Sequence, residues 1–304
     1  MSTTFSIEQK SDTQEKAKEF LFNMLSLRIN GPAQMWLDRT VKELQALTNE
    51  NSFYLAFSAA SRYSSKHGIQ LNHTELEEAN SILLDWNIAN WTTEQCVRVL
   101  LILLLDKKDP EEFKRILNKQ FSAADVDELV ALYAALPLFP FPESFTERAS
   151  EGIRNNITPV FDAVALNNPY PSQHLSDEAW NQLILKAIFN NRPVHKIIGL
   201  ENRCNQALTN MLVDFAHERW AAGRSFTPQL WRCAGSFLNE GNLDDIQKVL
   251  KSDSLYEQLA ATLACANSNS QSLHELIEKK TVYTEIQNGS LTWQTLVSAF
   301  EPEC

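Results

Sequence analysis

Helix-start chemistry recurs along this chain, and each start opens a run of apolar residues at three-and-four spacing. That combination restricts the fold to packed helices. Asp109-Pro110-Glu111-Glu112 shows the pattern. Asp109 is placed to cap free amides, Pro110 suits a first turn because its missing N–H would be unpaired there, and the glutamates complement the positive helix end. Thr92 to Gln95 resembles a capping box, while Ser122 to Asp125 and Ser176 to Glu178 are looser acidic starts. After Asp125, the positions Val126, Leu129, Val130, Leu132 and Tyr133 share one helical face, and Trp180, Leu183, Ile184, Ala187 and Ile188 repeat the arrangement. Glycine numbers only eight in 304 residues, well under the usual share of about 7 %. Few positions can therefore adopt the positive φ that tight hairpin turns demand.

The expectation is an all-α chain of irregular stacked helical hairpins, a helical-repeat-like array with no significant sheet. Helices are expected near residues 12–29, 33–48, 52–67, 73–89, 93–106, 110–120 and 123–136, then 143–154, 157–167, 177–190, 194–200, 205–222 and 228–239. Four more follow near 243–251, 254–265, 270–279 and 292–300. Short connections imply antiparallel neighbours, with one domain over 1–304 and a disordered segment at 1–11. Two stretches break the pattern: Pro137 to Pro142 and Asn167 to Pro171, where proline spacing predicts extended backbone.

A formal charge of −11 repels a phosphate backbone, and no Lys/Arg-rich run offsets it, so nucleic acid is excluded as a partner class. The amino terminus lacks a basic stretch followed by an apolar run, so a cytoplasmic location is expected. The longest apolar run, Val99 to Leu105, is far short of the ~20 residues that span a bilayer and reads as a buried helix. Cys96, Cys204, Cys233, Cys265 and Cys304 are scattered without a CxxC pair or metal-ligand spacing. Reduced structural thiols, no metal and no cofactor are expected.

The arginines are unevenly placed. Seven of twelve, but only two of fifteen lysines, lie between Arg148 and Arg232, where nine Lys/Arg oppose seven Asp/Glu for a net +2. Arginine presents a rigid fork that engages carboxylate or phosphate with two bonds, whereas lysine is a hydrated point charge. Each of these arginines is either part of an anion clamp or a brace between helices. Arg203, Arg219, Arg224 and Arg232 fall at or near predicted helix ends, with Trp220 and Trp231 beside them. Together they suggest a pocket with an anionic clamp and aromatic walls for a planar acid or phosphorylated metabolite, against the simpler role of core packing for the tryptophans.

His217-Glu218-Arg219-Trp220 starts like the HExxH zinc motif, but position 221 is alanine, which removes the metal site. Asp214, three residues before His217, is spaced to orient the imidazole for acid–base chemistry or to join it in an interhelical network. In Glu151-Gly-Ile-Arg154-Asn155-Asn156, Glu151 and Arg154 are spaced to pair with each other, with Asn155 ending the helix, or to face a ligand. Tyr170 stands in a proline-bounded loop suited either to close a cavity or to space two helices.

Several segments taken together carry a resemblance: EGIRNN from Glu151, VFDAVALNNPYP from Val160, AWNQLILKA from Ala179, PVHKIIGL, and DFAHERWAAGR from Asp214 followed by LWRC. The chain resembles the EboA family, most clearly over about residues 136–233. The resemblance implies an all-helical cytoplasmic protein that acts with other Ebo-cluster proteins in traffic of a secondary-metabolite precursor toward the periplasm. It supplies no reaction. The expected ligand contacts are Arg154, Asn156 and Tyr170, then Arg203, His217, Glu218, Arg219 and Trp220, and finally Arg224, Trp231 and Arg232. Three functions follow from the sequence: a non-catalytic binder or carrier of a small anionic or aromatic metabolite, an enzyme or enzyme subunit using His217 with Asp214, or a scaffold for pathway proteins.

Overall fold

A computed structural model describes residues 2–46, 49–106, 108–278 and 281–300, with side chains described from residue 12 onward. The expected disorder at 1–11, the expected helix ends at 48 and 279, and Cys304 lie outside what is described at side-chain level. Among the described residues the chain is all-α, with no strand and one isolated bridge between Gly68 and Thr92. It forms two compact units, Met1–Leu175 and Ser176–Cys304.

Unit 1 is built from α1 (Ser2–Ser26), α2 (Gly31–Ala46), α3 (Glu50–Tyr63), α4 (His73–Ile82), α5 (Thr93–Leu103), α6 (Pro110–Ala123), α7 (Val126–Ala134), α8 (Thr146–Arg154), α9 (Thr158–Ala165) and α10 (Tyr170–His174). Its centre is α5, the apolar run read from the sequence, with Val99, Leu100 and Leu101 fully buried against α1, α3 and α7. No described helix is long and apolar enough to cross a membrane. The caps form as local chemistry dictates. Asp109 Oδ1 accepts from the N–H of Glu111 and Glu112, and Thr92 Oγ1 accepts from Gln95 N–H at 3.1 Å. The start expected at Ser122 moves to Asp125, which makes a reciprocal capping box with Glu128, because an aspartate with a glutamate three residues on satisfies two amides at once.

Both proline stretches differ from the extended backbone expected. Short 3-10 turns occupy Leu136–Leu138 and Pro142–Phe145, and α10 begins immediately after Pro169. In each, proline sits in the first turn, where no N–H is needed and its fixed φ is helical. Asn167 supplies the left-handed bend before α10 at φ 52.

Unit 2 contains α11 (Asp177–Phe189), α12 (Gln206–Ala221), α13 (Leu230–Ala234), α14 (Leu243–Leu250), α15 (Leu255–Asn267), α16 (Gln271–Glu275), α17 (Thr281–Gln287) and α18 (Trp293–Phe300). Here α15 is central, packing on α13, α14, α17 and α18. The expected helix at 194–200 shrinks to a 3-10 turn at Val194–Lys196, and α17 was not anticipated.

Candidate functional site

Helix α12 carries most of the family-like segment from Asp214 to Arg224, and its geometry follows from its two ends. Asn205 Oδ1 accepts from Leu208 N–H at 2.9 Å, and Asn205 and Asn181 exchange side-chain bonds of 2.9 and 3.2 Å, fixing the helix start to α11. At the other end Gly223 takes φ +63, and the N–H of Arg224 returns to the carbonyl of Arg219 at 2.9 Å. Leu208, Thr209, Leu212, Val213 and Ala216 form the buried face. Asp214, His217 and Glu218 consequently point outward and are exposed.

The carboxylate that meets His217 is Asp245 of α14, whose Oδ1 lies 2.7 Å from Nε2. It is not Asp214, which makes no bond to the imidazole. Trp231 is 1 % exposed. Trp220 packs 6.2 Å from Trp231 and 5.8 Å from Phe226, with Lys248 Nζ 4.0 Å over its ring. Trp231 is thus core packing, and Trp220, half-buried, rests against it.

Several arginines of the window are engaged within the fold. Arg203 Nη2 donates to Asp177 at 2.6 Å while its guanidinium covers Trp180 at 5.0 Å. Arg232 donates through Nε and Nη2 to Glu201 Oε1 at 2.6 and 2.5 Å. Arg148 reaches Asn118, Ser122 and Glu151, so Glu151 pairs with Arg148 at 2.8 Å rather than with Arg154. Arg154, Asn156 and Arg224 are exposed, and Asn155 ends α8 as expected. Tyr170 is fully buried, its hydroxyl donating to the Pro142 carbonyl at 2.5 Å. Burial pushes that phenol well above its ordinary range. Arg154, Asn156 and Tyr170 belong to unit 1, and the remaining expected contacts belong to unit 2.

Within unit 2 the end of α11, the outer side of α12, the turn after it and the start of α15 enclose a groove of about 350 Å³. Phe215 sits 6.3 Å from Phe189 and 6.2 Å from Phe226, giving one wall three phenyl rings. Phe189 is 66 % exposed, unusual for so large an apolar side chain. Tyr256 stands among the other lining residues, its hydroxyl accepting from Gln229 Nε2 at 3.1 Å and its ring stacked 4.8 Å from Phe300. Arg219 provides the charge. Its Nε and Nη2 both donate to the Ser225 carbonyl at 3.0 and 2.7 Å, and its guanidinium lies 5.8 Å from the Phe215 ring. Nη1 is left without a bond among the described residues, so a fixed guanidinium presents a free donor in a groove lined by the exposed Phe189 and the half-buried Phe215 and Phe226.

Of the expected contacts, Arg219 is the one that lines this groove. Phe189, Asn191, Phe215, Phe226 and Tyr256 were missed. The four-residue spacing of Phe215 and Arg219 on one helix was a readable signal, whereas Tyr256 comes from a distant helix. Burial pushes the Cys204 thiol up to about 11 and holds those of Cys96 and Cys233 higher still, which disfavours the reactive thiolate at these three positions. Among the described residues no group of three or more His, Cys, Asp or Glu is arranged for a metal ion.

These features define an all-α protein whose unit 2 carries an Arg219-bearing groove beside α12 and the turn that follows it. The chain belongs to the EboA family: the profile of the metabolite traffic protein EboA matches residues 17–235. Neither the curated proteins nor the solved structures give a significant match.

Proposed function

We propose that this protein is a non-catalytic cytoplasmic carrier that holds a small aromatic, anionic metabolite precursor in the unit 2 groove and hands it to other Ebo-cluster proteins for movement toward the periplasm. The observation that carries this reading is Arg219, a guanidinium held by two bonds to Ser225 whose Nη1 takes no bond among the described residues and which lines the same groove as three phenyl rings. Preorganisation of that kind favours binding, since the side chain has already lost the freedom that a ligand would otherwise have to remove. The family's description as a metabolite traffic protein supports the same role. His217, exposed and bonded to Asp245, does not line the groove and serves there as a link from α12 to α14.

Fluorescence titration with 8-anilinonaphthalene-1-sulfonate, an aromatic anion, and N-phenyl-1-naphthylamine, its neutral counterpart, tests the reading. Arg219→Gln is expected to weaken the sulfonate about tenfold, as fits loss of one charge-assisted bond, and to leave the neutral probe unchanged. Arg224→Gln, outside the groove, should change neither. Equal sulfonate binding by wild type and Arg219→Gln would remove the groove as an anion site.

A further inference from the structure

When asparagine precedes glycine, the glycine nitrogen can attack the asparagine side-chain amide with little hindrance, because glycine has no Cβ to block the approach. The chain carries two such pairs, Asn30-Gly31 between α1 and α2 and Asn288-Gly289 after α17. They are alike in exposure and backbone. All four residues are exposed. Both glycines hold left-handed backbone, at φ +58 and +77, and neither has an atom within 4 Å of where a Cβ would stand.

The pairs differ in hydrogen bonding. The N–H of Gly289 donates to the Ile286 carbonyl at 3.1 Å, and the Asn288 amide oxygen accepts from the N–H of Ser290 at 2.9 Å and from its hydroxyl. Nucleophile and target are both engaged there. At the first pair, α1 closes with the N–H groups of Arg28 and Ile29 donating to the Leu25 carbonyl, and the chain has left that helix before Asn30. Among the described residues the Gly31 N–H donates no bond and the Asn30 side chain makes none.

We propose that Asn30 is a site of spontaneous deamidation and that Asn288, with the same glycine after it, is protected by its hydrogen bonds. The main-chain nitrogen of Gly31 gives up its proton and attacks Asn30 Cγ. The N–Cγ bond forms, the Cγ–Nδ2 bond breaks, and ammonia leaves with a proton taken from water. Water then opens the resulting succinimide at either carbonyl, giving aspartate, or isoaspartate in which the main chain runs through the former side chain. Nothing is oxidised or reduced, and water is the only co-reactant. Both products place a carboxylate at the start of α2, where the positive helix end favours it. Isoaspartate also presents the carboxylate that an isoaspartyl methyltransferase esterifies.

The test is to incubate the full chain at mildly alkaline pH, folded and in urea, and to follow both peptides by mass spectrometry for the gain of amide-to-acid conversion. In the folded protein the Asn30 peptide should convert about tenfold faster than the Asn288 peptide, the factor expected when one main-chain hydrogen bond must first be released. In urea that bond is gone, and the two rates should approach each other. Methyl acceptance from S-adenosylmethionine through an isoaspartyl methyltransferase should grow as the folded wild type ages. Asn30→Ser, which keeps a residue able to cap α2, should abolish most of that growth. Conversion at Asn288 as fast as at Asn30 in the folded chain, no conversion at Asn30, or an unchanged ratio in urea would overturn the inference. These wild-type comparisons stand even where the variant is poorly folded.

Discussion

The arginines of the central window show how little a residue type settles by itself. Arg203 and Arg232 are tied to Asp177 and Glu201, acids 26 and 31 positions away, and only the packing of unit 2 brings them together. Arg219 differs because its partner is the backbone carbonyl of Ser225, six residues on, fixed by the left-handed turn at Gly223. A carbonyl orients the guanidinium without cancelling its charge, whereas a carboxylate does both. Tyr170 makes the same point from the aromatic side. Its position in a proline-bounded segment suggested a residue presented to a ligand, yet its hydroxyl is committed to Pro142 inside the core. Tyr170→Phe leaves that carbonyl buried and unpaired, so it should lower stability by about 1–3 kcal/mol in urea unfolding while probe binding at the Arg219 groove is retained. A stability change near zero would show that the hydroxyl is not needed there.

At the level of elements, helix starts were legible because capping is local chemistry: Asp109, Thr92 and Ser176 all cap the helices their neighbours suggested. Turns built on proline were not, since the same residue that forbids a helix interior favours its first turn, and α10 shows the second case. The groove was least legible. Its walls come from positions 188 through 256 on three helices and a turn, and no short window of sequence reports which exposed phenylalanines face one another. Within α8, Gly152 reveals a constraint that helical periodicity hides. A Cβ at that position would stand 2.6 Å from Val164 Cγ2 and 2.8 Å from the Tyr133 ring, so α8 meets α7 and α9 through a residue that must have no side chain. Gly152→Ala is therefore expected to destabilise by about 1–3 kcal/mol, despite the better helix propensity of alanine. Chemical unfolding measures it, and a neutral or stabilised variant would mean that the three helices separate readily.

For the whole chain, a charge of −11 makes acid titration the informative axis, because protonation relieves general repulsion while breaking specific pairs. Among the ion pairs of unit 1, two sets at different depths are informative. In its core Arg98, 1 % exposed, bonds Glu94 at 2.5 Å and approaches Glu128 at 4.0 Å. Arg98→Ala would strand two buried carboxylates and should cost roughly 3–5 kcal/mol at neutral pH. Nearer the surface, Arg28 joins α1 to the start of α4 through Glu75 at 2.6 Å, and Glu75 also accepts the N–H of Asn72 in a capping box. Arg28 is the main cause that draws the Glu75 carboxyl below its ordinary 4.5. A carboxyl whose folded value is depressed contributes stability that is fully present above the unfolded value and is lost as pH falls through the folded one. The Arg28–Glu75 link should thus act in full above pH 4.5 and fade beneath it. Glu75→Gln removes the titrating group but keeps a side chain able to complete the capping box. At pH 7 the variant should be about 1–2 kcal/mol less stable than wild type, the scale of one charge-assisted bond. As pH falls below 4.5 through the lowered folded value, the gap between the two urea-unfolding curves should close progressively. A gap that stays constant from pH 7 to pH 3 would show that Glu75 stabilises through shape or capping alone, and that the tie between α1 and α4 does not depend on its charge.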